Sequence, residues 1–497
     1  MKIKNPIVKG FYPDPSVCEA NGKYYLVCST MQYFPGVPIF ESEDLLNWKQ
    51  IGHCFTRPEQ VALDKITSSS GVFAPTIRFY NGRFYMTTTN NQTHENYYVY
   101  TDDIYGEWSD PIYVDQDGID PSFYFEDGHA YFMSNGHDDD GVVGIVQCEI
   151  DIATGKKLSK SKTIWQGSGG RYLEGPHLYK INGRYYLVAA EGGTEFGHMV
   201  TYAVSDSIFG EYKGYPKNPV LTNRNLGGYE IQGVGHGDLI QDKNGNWWMI
   251  HLAFRQINIW LCYHHLGRET FITPVTFSED GWFTAGIDGT TRLEFETDRS
   301  TGGVQKADKA LYTFKNTDTK IDWCWLRNPV FENYDLNDER FLLKGSAVTL
   351  DMADTPTFIG LRQKDFKADI KANVTLGKGE AGISIYMDEN HHYDLAIRDT
   401  DNGVEAVVKL NVGDIKHIQK AVPVDGNSAK LRIRSDNFNY YFYLGDEYLC
   451  QAQTRYVSTE VASGFTGVVI GLYAISQSGD ISRFDDFSIE YTPEHDD

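Results

Sequence analysis

Asp14-Pro15-Ser16-Val17-Cys18-Glu19-Ala20-Asn21-Gly22-Lys23-Tyr24-Tyr25 joins a polar opening, a turn ending in glycine and a pair of aromatics, and this phrase returns four more times before residue 250. Ala74-Pro75-Thr76 leads through Asn81-Gly82 to Phe84-Tyr85, and Asp120-Pro121-Ser122 through Asp127-Gly128 to Tyr131-Phe132. Gly175-Pro176-His177 leads through Asn182-Gly183 to Tyr185-Tyr186, and His236-Gly237-Asp238, with one extra residue, through Asn244-Gly245 to Trp247-Trp248. Asn-Gly or Asp-Gly between apolar runs signals a tight hairpin, and self-similarity at a period of ~40–60 residues signals a repeat architecture. Each interval leaves room after the hairpin for about two more strands, which makes a four-stranded blade. The expected fold is all-β, beginning with a five-bladed β-propeller.

A chain of 497 residues exceeds what one hydrophobic core serves, since cores stop growing near ~250–300 residues. A second domain is therefore expected. The polar, glycine-containing segment 298–308 reads as a linker, placing the propeller in residues 1–300 and the second domain in residues 309–497. Alternating runs at 347–352, 381–387, 430–434 and 440–444, broken by Gly, Asn and Asp, predict an antiparallel β-sandwich there. No long amphipathic helix is visible.

With 68 acidic against 45 basic residues, a formal charge of −23 and no basic block, the chain repels nucleic acid and anionic membranes, so a neutral partner is expected. No apolar run approaches ~18 residues, and the N-terminus lacks the apolar stretch of a secretory signal. The seven cysteines are odd in number and form no CxxC pair, which favours buried thiols in a reducing compartment; a cytoplasmic location is expected.

Innermost strands of a propeller line its channel, so equivalent positions converge on the axis. Asp14, Asp120, Glu174 and His236 stand at four of the five openings, and Ala74 at the other. Packing like charges around one axis is costly unless they serve chemistry. Glycoside hydrolysis needs one carboxylic acid to protonate a leaving oxygen and one carboxylate to act on water or on the anomeric carbon; a third raises the acid's pKa. A metal site remains open at this level, since these are ligand types, although no HxH or HExxH spacing occurs.

The stretches Gly10–Ser16, Phe34-Pro35-Gly36-Val37, Gly118–Ser122, Glu174–Tyr179, Ala190–Glu195, Gly235–Leu239 and Leu266–Thr270 together resemble glycoside hydrolase family 43, and within it the β-xylosidase and α-L-arabinofuranosidase branch. The resemblance runs in order along essentially the whole chain. It implies a five-bladed propeller followed by a concanavalin-like sandwich, and hydrolysis with inversion at the anomeric carbon. Asp14 matches the general base, Asp120 the residue that tunes and orients the acid, and Glu174 the general acid. His236, Arg268 and Thr194 match positions around the bound sugar, and Phe34, Phe73 and Ala74 the pocket wall.

Met31, Phe73 and Ile119 stand where β-xylosidases of this branch carry Phe, Trp and Phe. Phe465–Gly471 is similar to the sandwich loop that reaches over the propeller mouth, with Val469 where a Phe is common. The expected activity is exo-acting release of single β-D-xylose or α-L-arabinofuranose units from xylo- or arabino-oligosaccharides. No cofactor is required, with calcium at the propeller axis and homo-oligomer formation left open. A non-catalytic carbohydrate-binding propeller is the alternative, and it would be expected to have lost one of the three carboxylates.

Overall fold

The computed structural model describes residues 1–257 and 260–492. Five four-stranded antiparallel sheets follow one another along the chain. Blade 1 comprises Ser16–Ala20, Lys23–Val27, Gly36–Ser42 and Lys49–Phe55. Blade 2 runs from Thr76–Tyr80 to Ile112–Val114, and blade 3 from Ile119–Glu126 to Lys162–Trp165. Blade 4 runs from Glu174–Ile181 to Lys213–Gly214, and blade 5 from Ile231–Gln241 to Phe283–Ala285.

The repeated turns have the conformation that their residues favour. Asn21 and Gly22 take φ of 53° and 77°, and Asn81-Gly82, Asp127-Gly128 and Asn182-Gly183 repeat the pair of positive values. A type I′ turn needs positive φ at both central residues, and its twist matches that of the strands it joins. The alternating apolar residues of the blades pack between neighbouring sheets, as where Phe123 and Phe132 of blade 3 meet Tyr85 and Tyr98 of blade 2.

Each blade is built from contiguous chain, so the ring is closed by the N-terminal strap. Lys2–Lys4 pairs antiparallel with Glu294–Glu296, and the Asn5 side-chain amide donates to the carbonyls of Ile272 and Arg292 at 3.0 Å each. From residue 297 the chain crosses to the second domain along blade 1, where Lys306 N donates to Asn47 Oδ1 at 2.8 Å.

The second domain is a sandwich of two eight-stranded sheets. Ile383, Ile385, Leu395 and Ile470 of one sheet face Ile370, Ile433, Phe442 and Phe484 of the other, all fully buried. Three of the four expected runs lie in strands. The fourth does not: residues 347–352 form a turn-rich segment whose Leu350 packs with Phe358, Tyr386 and Tyr473, so their alternation reflects one anchoring side chain. Among the described residues the single α-helix is Thr459–Ala462.

One strand crosses the domain boundary. Tyr33–Phe34, between the second and third strands of blade 1, forms the edge of a sandwich sheet by pairing with Cys324–Leu326, Phe34 opposite Trp325. Phe34 is 1% exposed and stands edge-on to Phe331, with ring centres 6.2 Å apart. Its expected place in the sugar pocket is therefore corrected: Phe34 is a joint between the domains. Local sequence could not reveal this, because the strand's partner lies almost 300 residues away.

Candidate active site

The inner strands of blades 3, 4 and 5 break register at their openings, between Ile119 and Ser122, Glu174 and His177, and Gly235 and Asp238. At these breaks Asp120, Gly175 and His236 take φ of 54°, 60° and 52°, and Asp14 of blade 1 has φ 54°. A bulge re-aims a side chain, and left-handed backbone costs a non-glycine residue of order 1–2 kcal/mol. The same strained turn thus recurs around the axis. Glu174 sits one position earlier than the aspartates, at the position of Ile119. The residue after it must be glycine, since a Cβ on Gly175 would lie 2.8 Å from Nδ1 of His236.

Three carboxylates meet one guanidinium here. Arg268 Nη1 donates to Asp14 Oδ1 at 2.6 Å and to Thr194 Oγ1 at 3.0 Å, while Ser29 Oγ donates to Asp14 Oδ2 at 2.6 Å. Burial alone would raise the Asp14 pKa, but the Arg268 charge and the Ser29 hydroxyl reverse this and hold it below the usual carboxylate range. Among the described residues Glu174 has no such partner. Burial and then the Asp14 charge push it up to about 7, against the opposing pull of Arg268.

Asp120 is also raised, by burial first and then by Glu174 and Asp14, although the Gly175 backbone N–H partly offsets this. Asp120 and Glu174 are thus both raised beside an Asp14 held below the usual carboxylate range. Burial holds His236 neutral, lowering its pKa against the pull of Asp14.

Below the carboxylates, Asp238 is fully buried and joins four blades. It accepts from Ser16 Oγ at 2.7 Å, from Arg78 Nη1 and Nη2 at 2.9 and 3.1 Å, and from the Tyr179 hydroxyl. Arg78 Nη2 also meets His177 Nδ1 at 3.0 Å. Asp238 and His177 lie in motifs quoted above, but their role in pinning the channel floor depends on Arg78, an unremarkable strand residue in sequence.

Beyond Phe34, the pocket wall departs from expectation at the sandwich loop. Val469 is fully buried, in the strand Val469–Ile475, and belongs to one apolar cluster with Phe11, Met31 and Tyr33 of the propeller. Phe465, four residues earlier, takes the place in the wall. Its backbone N–H donates to Ser69 Oγ at 2.8 Å, its ring stands edge-on to Phe73 at 5.4 Å, and the Arg268 guanidinium lies 5.1 Å from its centre. Phe465 thus restores aromatic surface beside Phe73. Met31 is buried in the same cluster and bonds Val72 through both backbone groups at 3.0 Å. Ala74 is buried beside them, and Ile119 is half-buried at the blade 3 opening.

Among the described residues no three His, Cys, Asp or Glu side chains are grouped to hold a metal ion. The chemistry below is derived without a metal.

The model for glycosyl hydrolases family 43 matches residues 3–283. The chain belongs to glycoside hydrolase family 43. A second match, to the β-xylosidase C-terminal concanavalin A-like domain, covers residues 312–490, and the protein is a glycoside hydrolase with that two-domain plan. A Bacteroides ovatus relative named a non-reducing end α-L-arabinofuranosidase is 37% identical, over 95% of this chain and 91% of its own. A xylosidase/arabinosidase of Butyrivibrio fibrisolvens is 36% identical over 97% and 98%. Among solved structures, a Bacteroides ovatus protein described as xyloglucan PUL GH43B superposes with a TM-score of 0.90 at 35% identity, covering 99% of this chain and 100% of its own. A xylan β-1,4-xylosidase of Bacillus halodurans superposes with 0.89 at 28% identity, over 99% and 100%.

Proposed function

We propose that this family 43 enzyme removes single α-L-arabinofuranosyl and β-D-xylosyl units from the non-reducing ends of hemicellulose-derived oligosaccharides, with Asp14 as general base and Glu174 as general acid. The observation that carries the assignment of roles is the unequal share of one cation. Arg268 holds Asp14 ionised, while Glu174, without a cation of its own, keeps its proton near neutral pH. An acid and a base with pKa values driven apart by their surroundings divide the labour at a single pH.

In the proposed reaction Asp14 takes a proton from a water as its oxygen attacks the anomeric carbon, and Glu174 gives its proton to the departing glycosidic oxygen. The C–O bond breaks as the new one forms on the opposite face, so the configuration inverts. Such a geometry needs ~6.5–9.5 Å between the two carboxyls to admit the water. Exchange of one proton with solvent at each carboxyl resets the site. Asp120, close enough to Glu174 for their charges to oppose one another, is assigned the part of orienting the acid.

Arg268 Nη2 is buried and donates to no acceptor among the described residues, which fits a hydrogen bond to a sugar hydroxyl. The Phe465 loop narrows the mouth, which suits removal of one unit at a time. Both sugars are proposed because the relatives' names divide between them. Turnover of p-nitrophenyl α-L-arabinofuranoside and p-nitrophenyl β-D-xylopyranoside, measured side by side, tests this. Comparable kcat/KM values support one pocket for both, and activity on neither refutes the pentosidase reading.

A further inference from the structure

Tyr172, two residues before Glu174, is 62% exposed and takes left-handed backbone with φ 53°. A large aromatic in that conformation is an outlier, and an exposed ring gains nothing from core packing to offset it. The segment around it is nonetheless held firmly. Glu191, fully buried, accepts from the backbone N–H groups of Ser168 at 2.8 Å and Gly170 at 2.6 Å. The Gly192 N–H donates to the Arg171 carbonyl at 2.7 Å, and Arg171 Nε donates back to the Gly192 carbonyl at 3.1 Å. The Arg171 guanidinium lies 5.2 Å from the centre of the Tyr172 ring and pairs with Glu195. One edge of the ring reaches so near Gly193 that a Cβ there would stand 3.0 Å from Cδ2 and 3.4 Å from Cε2.

We propose that Tyr172 is the platform for the leaving-group sugar. This rests on the reading of Glu174 as the general acid, because the acid must border the oxygen of the departing unit. Chain entering Glu174 therefore edges the leaving-group side of the scissile bond, while Thr194, next to the glycine at the edge of the Tyr172 ring, is bonded to Arg268 on the glycone side. The flat face of a pyranose or furanose stacks on an aromatic ring, and a ring held by Arg171 on a segment whose backbone Glu191 ties down loses little freedom on binding. Covering one face of the tyrosine corresponds to about a tenfold gain in affinity. Tyr172 thus selects for leaving groups large enough to lie on it.

The test compares xylobiose with β-D-xylosyl fluoride, whose leaving group is a single atom, and runs arabinofuranosyl counterparts in parallel. Tyr172→Ala is expected to lower kcat/KM on the disaccharides about tenfold, mainly through KM. The fluorides should stay within about twofold of wild type, and Tyr172→Phe should restore disaccharide turnover. Equal loss on both kinds of substrate would overturn the platform and make Tyr172 a support of the Glu174 segment; unchanged disaccharide turnover would overturn it as well. Tyr172→Asn, which tolerates left-handed backbone, repeats the comparison should the alanine variant misfold. Failure of the acid assignment has a different signature: Glu174→Gln would then keep its disaccharide activity, whatever the Tyr172 variants show.

Discussion

Replacing Glu174 by Gln should make the folded protein more stable above neutral pH while it destroys activity on natural substrates. The wild-type carboxyl titrates at about 7 in the folded chain against an ordinary 4.5. Between those values the folded state holds a proton that the unfolded chain has released, so stability falls as pH rises through that window, and the full cost remains above it. Each pKa unit is worth ~1.36 kcal/mol, which sets an upper figure of about 3 kcal/mol. Glu174 is partly open to the pocket and Asp120, also raised, stands beside it, so about 2 kcal/mol is the expected gain at pH 8. Glutamine is neutral throughout, so the difference should shrink to near zero at pH 4. Urea unfolding of both proteins at pH 4, 6 and 8, followed by tryptophan fluorescence, reads it directly. A gain of equal size at every pH, or a variant less stable at pH 8, would show that the carboxyl is not strained by burial and by Asp14.

Asp14→Asn should lower turnover by several orders of magnitude with folding intact, since the amide keeps its shape but cannot take a proton from water; a modest loss would point to another base. kcat/KM should fall as pH rises through about 7, where Glu174 loses its proton, and should hold on the acid side until Asp14 protonates below the usual carboxylate range; a decline confined to pH above 9 would contradict the acid assignment. Phe34→Ala should destabilise the protein by ~3–5 kcal/mol through the cavity left between the domains, with full activity at low temperature; a selective rise in KM at unchanged stability would instead return Phe34 to the sugar pocket.

How much of this was legible beforehand depended on the range of the interactions. Asn21-Gly22 and its copies are local signals, so they marked the hairpins and counted the blades. Asp14, Asp120 and Glu174 stood out because the repeat aligns them, even though Glu174 is offset by one residue and needs Gly175 to clear His236. What local pattern could not show was pairing across the chain. Tyr33–Phe34 looks like part of blade 1 until its partner Cys324–Leu326 is known. Phe465 and Val469 are both apolar and four residues apart, and nothing local shows that Phe465 meets Phe73 and Arg268 while Val469 is fully buried. Residues 347–352 alternate like a strand because one leucine is anchored. The raised pKa values of Asp120 and Glu174 follow from burial and from neighbouring carboxylates, with the one guanidinium bonded to Asp14, and no spacing in the sequence encodes that arrangement.

The most direct test of the central claim, that Glu174 protonates the leaving oxygen while Asp14 activates water, is the leaving-group dependence of Glu174→Gln. Its kcat/KM, relative to wild type, is measured on an unactivated pentose disaccharide and on the 2,4-dinitrophenyl glycoside of the same sugar. The account predicts a loss of several orders of magnitude on the disaccharide and a far smaller one on the dinitrophenyl glycoside, whose leaving oxygen needs no proton. Equal losses on the two substrates, or near wild-type cleavage of the disaccharide, would contradict it.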